Sequence, residues 1–219
     1  MLLCDLQTLL ASAYRLPVDI NIADYLTTDR QVPRSILGES ARIADEVLLV
    51  HEDASTLDVA LFIDNGVLGR LAFADPREVL SDSNLDDFCQ ALEGVSHFVY
   101  LVWNAAKDRS VTRLEMEVQA EIDKYLSARM LLEVQGDQRL QGADLLRRLF
   151  DGVRYHEDLH TDEIERYRYA NDVACRYCNH LEQRFAGRNV SAGLKEELRA
   201  FYRMPQPDKL SHMNVAQFS

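Results

Sequence analysis

His156-Glu157-Asp158-Leu159-His160 is the stretch of this chain whose residue types and spacing could most directly do chemistry. On a helix, the two imidazoles would lie one turn apart on one face and could share a tetrahedral zinc ion, with Glu157 placed to deprotonate the metal's water. A third ligand would have to come from downstream, where Glu182 and Glu163 are the available carboxylates. On this reading the protein is a metal-dependent hydrolase with His156, His160 and Glu182 on zinc and Glu157 as base. The surroundings argue for something plainer. Asp158, Arg154, Thr161, Asp162 and Glu163 make the segment polar throughout, and acids gather at the start of a helix because they complement its dipole. The same residues contain Glu157-x-x-His160, half of a carboxylate-rich di-iron pattern, but a second Glu-x-x-His is absent from the sequence.

A second set of polar residues, Glu93, His97, Tyr100 and Asn104, recurs at helical spacing and makes one stripe along an otherwise apolar segment. Glu115, Glu117, Gln119, Glu121 and Asp123 on the next predicted helix could partner it. The stripe is then either a small-molecule or metal pocket with His97 as acid-base group or ligand, or a solvated edge or satisfied network that fixes helix register. Amphipathic surface is the commoner cause of such a pattern and is the reading preferred here.

Cys175-Arg-Tyr-Cys178-Asn-His180 does not complete a haem attachment motif, because Asn179 separates the histidine from the second cysteine. Cys178 shares a helical face with Ala174 and Leu181 and reads as core. Tyrosines and arginines interleave on the same segment. Tyr155, Arg168, Tyr169 and Arg176 are its candidate interface residues, given the enrichment of both types at protein contacts. Intrahelical pairs such as Glu165 with Arg168 would make the same face ordinary solvated surface. No nucleophile elbow, phosphate-cradling loop or dinucleotide fingerprint is present.

These residues need elements to hold them. Periodicity and capping signals predict two long central helices over 84–134, joined by Asp108-Arg109-Ser110, with Thr112-x-x-Glu115 capping the second. Val99 and Trp103 are expected to be among the most buried residues. Leu2, Leu3, Leu6, Leu9 and Leu10 predict an N-terminal helix, and a long helix is predicted over 162–186. β-branched runs at 46–51 and 57–63 read as antiparallel strands. Asp64-Asn65-Gly66 then reads as a tight hairpin turn into a third strand over 67–73, with a short helix over 67–74 as the alternative. The expectation is an α+β fold: a predominantly helical bundle of about five to seven helices with one small antiparallel sheet within 45–73. It forms a single domain over 1–204, followed by a loosely held tail over 205–219.

The chain has 219 residues, 47% hydrophobic and 27% charged, ordinary values for a globular protein. A net charge of -12 opposes binding to nucleic acid or an anionic membrane. No apolar run approaches the roughly 20 residues that cross a bilayer, no secretory leader is recognisable, and four cysteines are too few for a disulfide scaffold. A cytoplasmic protein that works by binding another protein or itself, without a cofactor, is the first expectation. The zinc hydrolase is the second.

Overall fold

Leu3, Leu6, Leu10 and Tyr14 recur one helical turn apart, and all four are buried along one side of α1 (Leu2–Tyr14). The computed structural model describes residues 1–17, 19–53, 56–136, 140, 142–151, 160–185 and 190–215, with residues 214 and 215 by backbone alone. After α1 come a 3₁₀ turn (Ile22–Asp24), β1 (Leu26–Thr27), α2 (Gln31–Leu37), β2 (Glu46–Glu52), β3 (Leu57–Ile63) and α3 (Asn65–Phe73). Then follow α4 (Leu85–Ala105), α5 (Arg113–Gln135), α6 (Ala143–Phe150), α7 (Thr161–Arg184), α8 (Ala192–Arg203) and α9 (Gln206–Val215). The fold is α+β and predominantly helical, with nine α-helices and one three-stranded sheet among the described residues. The helices beyond the expected number are short: α2, α3 and α9.

The sheet differs from expectation in its third strand. β2 pairs antiparallel with β3, from Glu46 opposite Ile63 to Glu52 opposite Leu57, as the β-branched runs predict. Along the other edge of β3 runs β1, parallel, with Leu26 opposite Leu61 and Thr27 opposite Phe62, so the sheet is mixed. Residues 65–73 form helix, the alternative weighed for 67–74. Asp64 does not enter a hairpin turn; its carboxylate accepts the Gly66 backbone N–H at 2.8 Å and caps α3. Val67 and Leu71, one turn apart, then bury against α4. Arg30 draws Asp45 and Asp64 together at 3.0 and 2.7 Å, fixing the start of β2 next to the end of β3.

α4 and α5 are the centre of the molecule, as their length and capping predict. Thr112 accepts the Glu115 N–H at 3.1 Å and starts α5 where the motif places it. α4 is covered by α1, α3, α5 and the sheet; α5 is covered by α1, α4, α6 and α7. The arrangement of burial was not foreseen. α5 carries Glu115, Glu117, Gln119, Asp123, Lys124, Ser127 and Arg129, and all of them are buried. Val99 is buried as expected, but Trp103 is only partly so. It packs against Tyr202 at 5.1 Å between ring centroids and borders an apolar groove with Leu16, Phe98 and Val102. Residues from 205 on, expected to be loose, include α9, whose Lys209 and Met213 are each 1% exposed. None of the described helices is long and apolar enough to cross a membrane.

Candidate metal centre

Glu46, at the first position of β2, sends its side chain onto α4 beside Gly94, where its Oε1 comes within 3.8 Å of His97 Nδ1. The other ring nitrogen, Nε2, lies 3.5 Å from Glu117 Oε2 of α5. Glu93, one turn before His97, completes a set in which Glu46, Glu93 and His97 each offer a ligand atom within 4.8 Å of the others. On the far side of Glu117, Arg166 of α7 places its Nε 3.8 Å from Oε1. Three elements and the strand therefore meet at one polar point in the bundle. Lys124 borders it, donating to Glu121 Oε1 at 2.7 Å and to Glu93 Oε2 at 3.3 Å.

The contacts around His97 are too long for ordinary hydrogen bonds between an imidazole and a carboxylate. Among the described residues, Glu46 Oε1, His97 Nε2 and Arg166 Nε are buried without a hydrogen-bond partner. Burial works against protonation of His97, but the carboxylates of Glu117 and Glu46 on its two sides outweigh that and raise its pKa well above the usual value. Burial pushes the Glu46 carboxyl up, and the charge of His97 pulls it back only in part. Burial also opposes ionisation of Glu93; there the Lys124 ammonium prevails and holds the carboxyl below its usual range.

Two carboxylates and an imidazole are a donor set suited to a first-row divalent ion such as zinc, ferrous iron or manganese. Metal–ligand bonds of about 2.0–2.2 Å put tetrahedral ligands about 3.4 Å apart. Closing separations of up to 4.8 Å to that value takes relative side-chain movements of up to about 1.4 Å, small for glutamates. Three protein ligands also leave a position open, as in catalytic rather than structural metal sites.

The predicted polar stripe divides at its middle. Glu93 and His97 belong to the centre, while Tyr100 and Asn104 belong to a second network nearer the C-terminal end of α4. Tyr100 donates to Glu115 Oε1 at 2.5 Å and accepts from Lys209 Nζ at 2.8 Å. Asn104 donates to the Tyr100 carbonyl at 2.8 Å. Lys209 also donates to Gln119 Oε1 at 2.7 Å, and Gln119 in turn donates to Asp123. Asp123 further accepts from Tyr14 at 2.5 Å and Ser96 at 2.6 Å. This second network is closed and almost fully bonded, the register-fixing arrangement weighed for the stripe as a whole.

Of the His-Glu-x-x-His motif, His156 and Glu157 lie outside the described residues, as does Tyr155. His160 is exposed and is the N-cap of α7, in extended backbone conformation, with its N–H donating to Glu163 Oε2 at 3.2 Å. Glu182 is held by the Tyr125 hydroxyl at 3.0 Å and by Arg129 Nη1 at 3.1 Å. Arg168, Tyr169 and Arg176 lie on the exposed side of α7, and Cys178 is buried in the core, as predicted. Sequence reasoning missed Glu46, Lys124 and Arg166. Gly94, an isolated glycine inside a predicted helix and next to Glu93, was the one local sign of a close approach there. No known protein family, curated protein or solved structure matches the chain.

Proposed function

We propose that this protein binds a single divalent transition-metal ion through Glu46, Glu93 and His97, with Glu117 beside the imidazole. The observation that carries the reading is two buried atoms that close no hydrogen bond among the described residues: Glu46 Oε1, 3.8 Å from His97 Nδ1, and His97 Nε2, 3.5 Å from Glu117 Oε2. A purely structural Glu-His-Glu cluster would be expected to contract to charge-assisted contacts of about 2.7–2.9 Å. The 3.8 Å between Glu46 Oε1 and His97 Nδ1 is instead close to the separation of ligands that share an ion, and Glu117, 3.5 Å from Nε2, stands at the other ring nitrogen, where it would orient the imidazole. A bound metal would act there as a Lewis acid with one exchangeable position.

This centre shares no residue with His156, Glu157, His160 and Glu182, so the two metal readings separate cleanly. Zinc or manganese titrated into untagged protein should bind with the same stoichiometry in a His156→Ala/His160→Ala variant and be lost in His97→Gln. The opposite pattern would return the metal to the hydrolase motif. The protein-binding reading has independent support in Phe73 and Val134, large apolar side chains 96% and 86% exposed at the ends of α3 and α5. Its test is the mass of the protein in solution: a monomer in wild type and Phe73→Ser alike would remove self-association from it.

A further inference from the structure

We propose that the groove beside Trp103 binds a small amphipathic carboxylate, its apolar body in the cavity and its charged end on Lys107; the proposal is independent of the metal centre. Between α1, the segment after it and the C-terminal half of α4 lies an open cavity of about 160 Å³. Phe98 and Val99 are buried at its base, and Leu16, Val102 and Trp103 stand half-buried around it. The polar side chain at the base is already engaged. Gln7 donates to the Ile20 carbonyl at 2.6 Å and accepts the Ile22 N–H at 3.0 Å, which also holds the segment after α1 against the helix. The cavity therefore offers a guest apolar contact inside and charge at its mouth, the usual division in a small-molecule site.

Size and charge select the guest. Apolar cavities of about 150 Å³ hold one benzene ring, so the body that fits here has about six to eight carbons, too few for a long acyl chain to be buried whole. The chain carries a net charge of -12, yet two cations converge on this spot. Lys107 Nζ and the Arg109 guanidinium stand over the Trp103 ring, 5.2 and 5.8 Å from its centroid. Arg109 is tied to the Arg203 carbonyl at 3.2 Å, whereas Lys107, among the described residues, pairs with no carboxylate. An incoming ammonium would meet an indole that already serves two cations; a carboxylate finds an ammonium without an acid partner. Asp19 is the acid at the mouth, and it makes an amine the competing guest to test.

Trp103 is the single tryptophan of the chain, so its fluorescence reports on the groove directly. Octanoate, 1-octanol and octylamine, titrated into the full chain with a chelator present, share one body and differ in head group. Octanoate should change the emission saturably. Affinity should climb roughly fourfold per methylene from butanoate to octanoate and level off in longer acids. Lys107→Gln should weaken octanoate about fivefold, the upper end for an exposed ion pair, and leave 1-octanol unchanged. Val102→Phe, which fills the cavity, should abolish the response to both. No saturable response in wild type, equal octanoate affinity in wild type and Lys107→Gln, octylamine binding as tightly as octanoate, or undiminished binding to Val102→Phe each overturns the proposal.

Discussion

The carboxylate of Glu46 occupies the space that a side chain on residue 94 would need: a Cβ built on Gly94 would stand 2.8 Å from Glu46 Cγ and 2.9 Å from its Oε1. A strand residue thereby reaches across a buried helix to His97. Gly94 is helical and needs no unusual backbone angle, so its role is space alone.

Gly94→Ala separates this account from helix propensity. Propensity alone favours alanine in a helix interior by about 1 kcal/mol. The clash with Glu46, and with Leu61 Cδ1 at 2.9 Å, predicts the opposite sign, a lower melting temperature together with weakened metal binding. Thermal denaturation with and without zinc measures both, and a more stable variant with intact metal binding would refute the close approach.

Lys124→Met should destabilise strongly. It leaves the Glu93 and Glu121 carboxylates inside the bundle without the ammonium that both contact, and breaking such a buried pair costs about 3–5 kcal/mol. Added metal should recover part of the loss, because the ion supplies the missing positive charge. Urea denaturation with and without zinc gives the comparison; a variant within about 1 kcal/mol of wild type would mean that the pair is effectively solvated.

Lys209 predicts a pH dependence of stability. Burial lowers its pKa from 10.5 to about 7, against the opposing charges of Glu115 and Asp123. Between those values the folded protein binds fewer protons at this site than the unfolded chain, so stability should rise with pH from about 7 toward 10. Lys209→Met should lose that rise. Melting curves at pH 7, 8 and 9 measure it, and identical slopes in the two proteins would contradict the burial of Lys209.

Asp123 works in the acid range. Burial raises its carboxyl to about 6 even though Ser96, Tyr14 and Gln119 all donate to it. A raised carboxyl binds its proton more tightly in the folded state, so this residue should make the protein more stable as pH falls from about 6 toward 4. Asp123→Asn, which can still accept from Tyr14, should abolish that component, seen as a flatter stability profile than wild type over the same range.

What the sequence made legible was local. Thr112 and Glu115 announce the start of α5, Leu3, Leu6 and Leu10 the buried side of α1, and Ala174, Cys178 and Leu181 that of α7, because each signal is complete within a few turns of chain. What it hid was tertiary. Glu115, Glu117, Gln119, Glu121 and Asp123 were legible only as possible partners for the α4 stripe; that four of these five are buried follows from partners on α1, α4 and α9 that cover them. The two-residue strand β1 exists only through its pairing with Leu61 and Phe62. Glu93 and His97 were legible as a pair, but Glu46 and Arg166 join them only once β2 and α7 are packed on α4 and α5.

The central claim is tested most directly by the metal content of untagged protein, dialysed after exposure to zinc or manganese, in wild type and in Glu46→Gln and His97→Gln variants whose helical circular dichroism matches it. The account predicts about one ion per chain in wild type and its loss in both variants. No retained metal in wild type, or the same content in all three proteins, would contradict it.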